Sequence, residues 1–172
     1  MKKVLLAVAF TLATLAFNGC TETSDIKVAS QKSSKADLSG YKSYAWFVSA
    51  NVLVDDNAQY VARGYDVDAY VKNAIQQQLD KKGKLEDNSE PDFLLSYISG
   101  LNMDSVIEKV DEEGKAYLKT LPKTAIAVVM IDGSNGRLIW TGVAKGEFLD
   151  KLSDEESRER IDYAIKKMFS DF

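Results

Sequence analysis

Histidine is absent from this chain of 172 residues, cysteine occurs once, at Cys20, and proline only twice. Without histidine there is no Ser-His-Asp or Cys-His nucleophile pair. With a single cysteine there is no zinc site of the usual Cys/His kind and no disulfide within the chain. Positive charge is not in excess either: the formal net charge is −4, which argues against the basic patch of a nucleic-acid partner. No catalytic residue, metal ligand or cofactor motif emerges, and an enzyme ranks last among the functions considered. What is present is ordinary globular composition, 45% hydrophobic and 28% charged. That is too apolar for a disordered chain and too short for two full-sized domains.

The N-terminus carries an address. Met1-Lys2-Lys3 is a basic start, Val4 to Phe17 is an uncharged, largely apolar run of 14 residues, and Gly19 is a small residue before Cys20. This is the layout of a cleaved signal peptide over residues 1–19. The run falls short of the roughly 20 apolar residues a membrane-spanning helix needs. Phe17-Asn18-Gly19-Cys20 resembles a bacterial lipobox; Gly19 and Cys20 match, while Phe17 and Asn18 depart from the commoner leucine and small residue. The resemblance implies acyl chains on the Cys20 sulfur and amine, palmitate among them. Buried chains contribute about 0.8 kcal/mol per methylene, and stable anchoring takes two signals. Thr21, a residue other than Asp, implies by the same resemblance sorting to the outer membrane, with the domain facing the periplasm. The alternative is a buried helix with an incidental cysteine. Removing residues 1–19 takes away Lys2 and Lys3 and moves the formal charge from −4 to −6, so the lipid is the only membrane contact expected.

Residues 20–39 are rich in Ser, Thr, Lys and Asp and read as a lipidated flexible tether, with an edge strand around Ile26 to Ala29 as the alternative. A single domain is expected over 40–172. Tyr44, Trp46 and Val48 share a face by period two and predict a first strand. Val67, Val71, Ala74, Ile75 and Leu79 form a helical stripe that starts near Asp66 or Asp68 and ends at Lys81-Lys82-Gly83. Phe93 to Met103 predicts a long strand continuing through Val106, Ile107 and Val110 after a bend at Gly100. Thr124 to Ile131 is apolar on both faces, as a central strand would be. Asp132-Gly-Ser-Asn-Gly136 is a hairpin turn, and Arg137 to Phe148 the returning strand, with Gly142 and Gly146 leaving room for a helix. Ser153-Asp-Glu-Glu156 is a capping box before a stripe of Ile161, Ala164, Ile165, Met168 and Phe169. The expected fold is α+β: a two-layer β-α-β-β-β-α sandwich, with a mostly antiparallel four-stranded sheet and both helices on one face.

Several of these segments together resemble bacterial envelope lipoproteins of the domain of unknown function 4136 family. The resemblance rests on Tyr44-Ala45-Trp46, Leu79-x-x-x-Gly83, Pro91-Asp92-Phe93-Leu94-Leu95, Ile131-Asp132-Gly133, Leu138-Ile-Trp140-Thr-Gly142-x-Ala144 and the final helix. It extends over about residues 35–172. It implies an envelope lipoprotein and brings no catalytic residues to transfer.

The carboxylate clusters Asp55-Asp56, Asp111-Glu112-Glu113 and Asp154-Glu155-Glu156 read as solvated loops and a helix cap. Tyr60, Arg63, Tyr65 and Tyr70 lie in the long connection leading to the first helix, and tyrosine with arginine is the content of recognition surfaces. The plain alternative is that some of these rings close the edge of the core. The leading expectation is a non-enzymatic outer-membrane lipoprotein whose domain binds an envelope partner or serves structurally. The other is a small-ligand or lipid-binding module using a pocket between sheet and helices. The oligomeric state is not legible.

Overall fold

The computed structural model describes residues 21–54, 63–101, 107–110, 116–119, 124–147, 149 and 151–172. Cys20, Tyr60, Met103, Val106, Phe148 and the clusters Asp55-Asp56 and Asp111-Glu112-Glu113 lie outside them. Among the described residues the elements are β1 (Lys27–Lys32), β2 (Ser43–Val54), α1 (Val67–Lys81), β3 (Leu85–Glu86), β4 (Phe93–Leu101), β5 (Ile107–Val110), β6 (Ala116–Lys119), β7 (Thr124–Asp132), β8 (Leu138–Gly146) and α2 (Asp154–Met168), followed by a 3-10 turn over Phe169–Asp171.

The class is α+β as expected, but the sheet is larger and mixed. Six strands run in the order β1-β8-β7-β4-β2-β3. β2 is parallel to β3 and β4, and the β4, β7, β8 and β1 pairs are antiparallel. Three expectations are corrected. Residues 20–39 are not wholly a tether, because Lys27–Lys32 pairs along β8 from Lys27↔Lys145 to Lys32↔Trp140. Its sequence KVASQK is mostly exposed, with Val28 and the preceding Ile26 packed against the core, so the edge-strand alternative around Ile26 to Ala29 is the one the fold adopts. Leu85–Glu86 adds two residues to the opposite edge, too few to show a period. The strand opening at Phe93 does not continue through Ile107 to Val110. It ends at Leu101, and β5 pairs with β6 in a separate two-stranded sheet.

The period-two face of β2 also stops early. The register passes from Trp46↔Leu95 to Val48↔Ser96, so Phe47 is the extra residue of a bulge and stands 62% exposed.

The two helices pack on one sheet face. α1 is capped by Asp66, whose carboxylate accepts the Ala69 N–H at 3.0 Å. Its C-terminus closes as a Schellman motif: Gly83 has φ 68°, its N–H reaches the Asp80 carbonyl, and the Lys84 N–H reaches that of Leu79. α2 begins with the reciprocal Ser153–Glu156 capping box. Val71, Ile75 and Leu79 of α1 and Ile165 and Met168 of α2 meet Tyr44, Phe93, Leu95, Tyr97, Met130 and Trp140 of the sheet, all essentially inaccessible. Gly142 is essential to this closeness, since a Cβ there would collide with Met168 and Trp140. The Trp140 ring packs 5.0 Å from Phe169 and 5.4 Å from Phe172.

Candidate functional site

The turn entering α1 lies against the first half of α2, and this contact gathers three of the four residues expected at a recognition surface. Arg63 donates to the Leu152 carbonyl, and the Gly64 N–H donates to Asp154 at 2.9 Å. The Tyr65 hydroxyl is 2.9 Å from Ser157 Oγ, and the Tyr70 hydroxyl donates to Asp162 at 2.9 Å. The two rings meet edge to face at 5.5 Å. The Arg158 guanidinium lies 4.3 Å from the Tyr65 centroid and 5.9 Å from that of Tyr70, a cation–π arrangement on a half-buried surface. Arg63 and Tyr65 thus join the loop before α1 to α2, and Tyr70, expected in that connection, lies instead in the first turn of α1 and joins it to α2. Tyr60 lies outside the described residues.

Burial, and then the bond to Asp162, push the Tyr70 hydroxyl up to about 12. Tyr97, beneath α1, donates to Asp68 and is raised further, mainly by burial. Asp68 also pairs with Lys72 at 3.0 Å. The carboxylates of α2's first turn are occupied: Asp154 by Gly64, and Glu156 by the Ser153 N–H and hydroxyl. Among the described residues no group of three Asp, Glu, Cys or His side chains is placed to hold a metal ion.

Sequence reasoning missed two arginines of α2. Arg158 gave no signal, because its partners lie in a distant segment. Arg160 could have been found: it stands four positions before Ala164 and eight before Met168, on the apolar stripe. A charged residue there needs a buried partner. That partner is Asp25, in a two-point ion pair with N–O distances of 2.8 and 2.6 Å.

The family model of a domain of unknown function, DUF4136, matches residues 28–172. The chain belongs to the DUF4136 family. The match begins within β1, at Val28, in keeping with that strand's place in the sheet. A DUF4136 family protein from Bacteroides thetaiotaomicron shares the fold, with a TM-score of 0.56 at 10% identity over 83% of this chain and 95% of the other. A PDZ domain protein from Parabacteroides distasonis aligns with a TM-score of 0.49 at 15% identity over 86% of this chain, which spans only 37% of that protein. Dodecameric PelC from Paraburkholderia phytofirmans aligns with a TM-score of 0.49 at 14% identity over 84% of this chain and 95% of the other. No functionally curated protein matches.

Proposed function

We propose that this DUF4136 member is a non-enzymatic lipoprotein of the outer membrane, held by acyl chains on Cys20, whose periplasmic domain acts as an interaction or structural module. The anchor is read from the basic start, the apolar run of residues 4–17 and Gly19-Cys20. The observation that carries the choice of a surface-acting module over a ligand-binding one is the filled layer between sheet and helices. Trp140, Met168, Phe169, Ile165, Ile75, Leu79 and Phe93 are each at most 1% exposed there, where a pocket for a small ligand was the competing expectation. The surface offered to a partner is the Arg63–Tyr65–Tyr70–Arg158 patch. Its rings are already fixed by hydrogen bonds to α2, so little conformational entropy is lost on binding.

Two measurements test this reading. Mass spectrometry of the membrane-fraction protein is expected to show an acylated N-terminal Cys20, and Cys20→Ala to release the protein from the membrane. Crosslinking in intact cells is expected to give a defined adduct. Replacing Arg63 and Arg158 together with serine should weaken it by about tenfold, equivalent to roughly 1.4 kcal/mol. An adduct of unaltered yield from the folded double variant would remove the patch from the proposal.

A further inference from the structure

The segment that directly follows Cys20 is fixed to the domain by an interlocking set of polar contacts. The Asp25 carboxylate receives both Arg160 nitrogens and also the Glu147 N–H at 2.7 Å. Arg160 donates in addition to the Glu22 carbonyl, and the Thr21 hydroxyl to the Glu159 carboxylate. The Ile26 N–H closes a turn onto the Thr23 carbonyl at 3.0 Å. The pair is well shielded, with the Arg160 side chain 9% exposed and that of Asp25 16%. Gly146 makes room for it: a Cβ there would lie 2.9 Å from Asp25 Oδ2 and 3.1 Å from Arg160 Nη2.

The position of this lock in the fold gives it a direction. β1 runs antiparallel to β8 with Lys27 opposite Lys145, so Thr21–Ile26 lies beyond the Gly146 end of the sheet. The Asp132–Gly136 hairpin lies at the other end of β8, about 27 Å away for a nine-residue strand. A free tether of some 20 residues would put the lipid roughly 25 Å from the domain. Here Cys20 Cα is about 3.8 Å, one peptide, from that of Thr21. We propose that Thr21–Ile26 is a rigid mount that presents Cys20 at the Gly146 end of the sheet. It seats that end against the lipid bilayer and turns the Asp132–Gly136 hairpin away from it. This rests on the reading that Cys20 carries the lipid.

The experiment uses full-length protein taken from the membrane fraction. Cys20 is the chain's only cysteine, so once it is acylated an introduced cysteine is the sole free thiol. Lys145→Cys and Arg137→Cys, both at exposed positions, are labelled with a fluorophore. The protein is then placed in phosphatidylethanolamine–phosphatidylglycerol vesicles bearing headgroup nitroxides. The label at position 145 is expected to be quenched several-fold more than that at 137. A Gly/Ser insertion of roughly twelve residues between Cys20 and Thr21, with a span of about 19 Å, should abolish the difference without touching a packed side chain. Asp25→Asn should narrow it. Equal quenching at the two positions in protein with proven acylation overturns the mount and leaves the lipid anchor standing, as does an insertion that leaves the difference intact. Protein retaining Met1 and an unmodified Cys20 overturns the anchor itself, and the mount with it.

Discussion

At the hairpin end of the sheet, polar side chains mostly bind chain that is close in sequence or backbone that is close in space, the Tyr41 hydroxyl on Asp132 being a long-range side-chain bond among them. Asp132 accepts from the N–H and hydroxyl of Ser134 and from the Asn135 N–H. Asp92 accepts the Lys42 and Ser43 N–H groups, and the buried Lys84 ammonium donates to the Leu38 and Tyr41 carbonyls. At the opposite end, side chain meets side chain across great sequence distance: Asp25 with Arg160, Tyr65 with Ser157, Tyr70 with Asp162. Backbone partners come with the fold, so such a bond depends on one side chain only. Paired side chains depend on both members, and a buried ion pair that loses one leaves an uncompensated charge. The end next to Cys20 is therefore the one richer in bonds that a substitution at either partner can break.

The scale for testing this contrast comes from the core shared by both ends. Ile165, fully buried, should cost about 2–5 kcal/mol as Ile165→Ala, measured by denaturant unfolding of protein beginning at Thr21. Arg160→Met should cost about 3 kcal/mol, and much less when Asp25→Asn is already present. Costs that simply add would show that the pair is not coupled and that the two ends are alike.

Acid sharpens the comparison from the hairpin side. Burial disfavours the Asp132 carboxylate, but the hydrogen bonds from Ser134 and Tyr41 outweigh it and hold the group at about 2, below its ordinary 3.8. Its stabilisation is complete above the ordinary value and is lost as pH falls toward about 2. Melting temperatures followed downward from pH 5 should fall through this window, and less steeply in Asp132→Asn. Asp25 is also lowered, first by its Arg160 hydrogen bonds, so Asp25→Asn should remove a separate part of the same slope. The smallest effect lies in the core at the hairpin end, where Tyr44 stands level with Phe93 and Asp132. The Tyr44 hydroxyl is buried and has no hydrogen-bond partner among the described residues, so Tyr44→Phe should leave stability unchanged within about 0.5 kcal/mol or raise it slightly. A clear loss would reveal a partner for that hydroxyl.

What could be read from the sequence divides along the same line. The Asp132–Gly136 turn, the Gly83 terminus, the Ser153–Glu156 box and the α2 stripe are local patterns, and each appears as expected. Gly142 was legible as space for a helix because glycine on a strand's buried face has few other uses. β1 was legible only as the edge-strand alternative around Ile26 to Ala29, because its alternation is largely polar and its partner lies more than a hundred residues away. The sheet is mixed because β2 runs parallel to β4 and β3, and neither the two residues of β3 nor the bulge at Phe47 leaves a periodic trace. Of the candidate patch, residue type identified Tyr65, Tyr70 and Arg63. Nothing local announced that α2 would supply Arg158 as their neighbour.

The pairing of β1 with β8 also governs the order in which the domain can form. The meander β7–β8 and the two helices are built from short-range contacts, whereas β1 has nothing to join until residues 138–160 are in place. Closing so long a loop is entropically costly, though the cost grows only slowly with its length. Contacts of this separation slow the approach to the native state. Docking of the first strand thus requires β8 to be formed, and the mount beside Cys20 becomes rigid only once the C-terminal helix has brought Arg160 to Asp25.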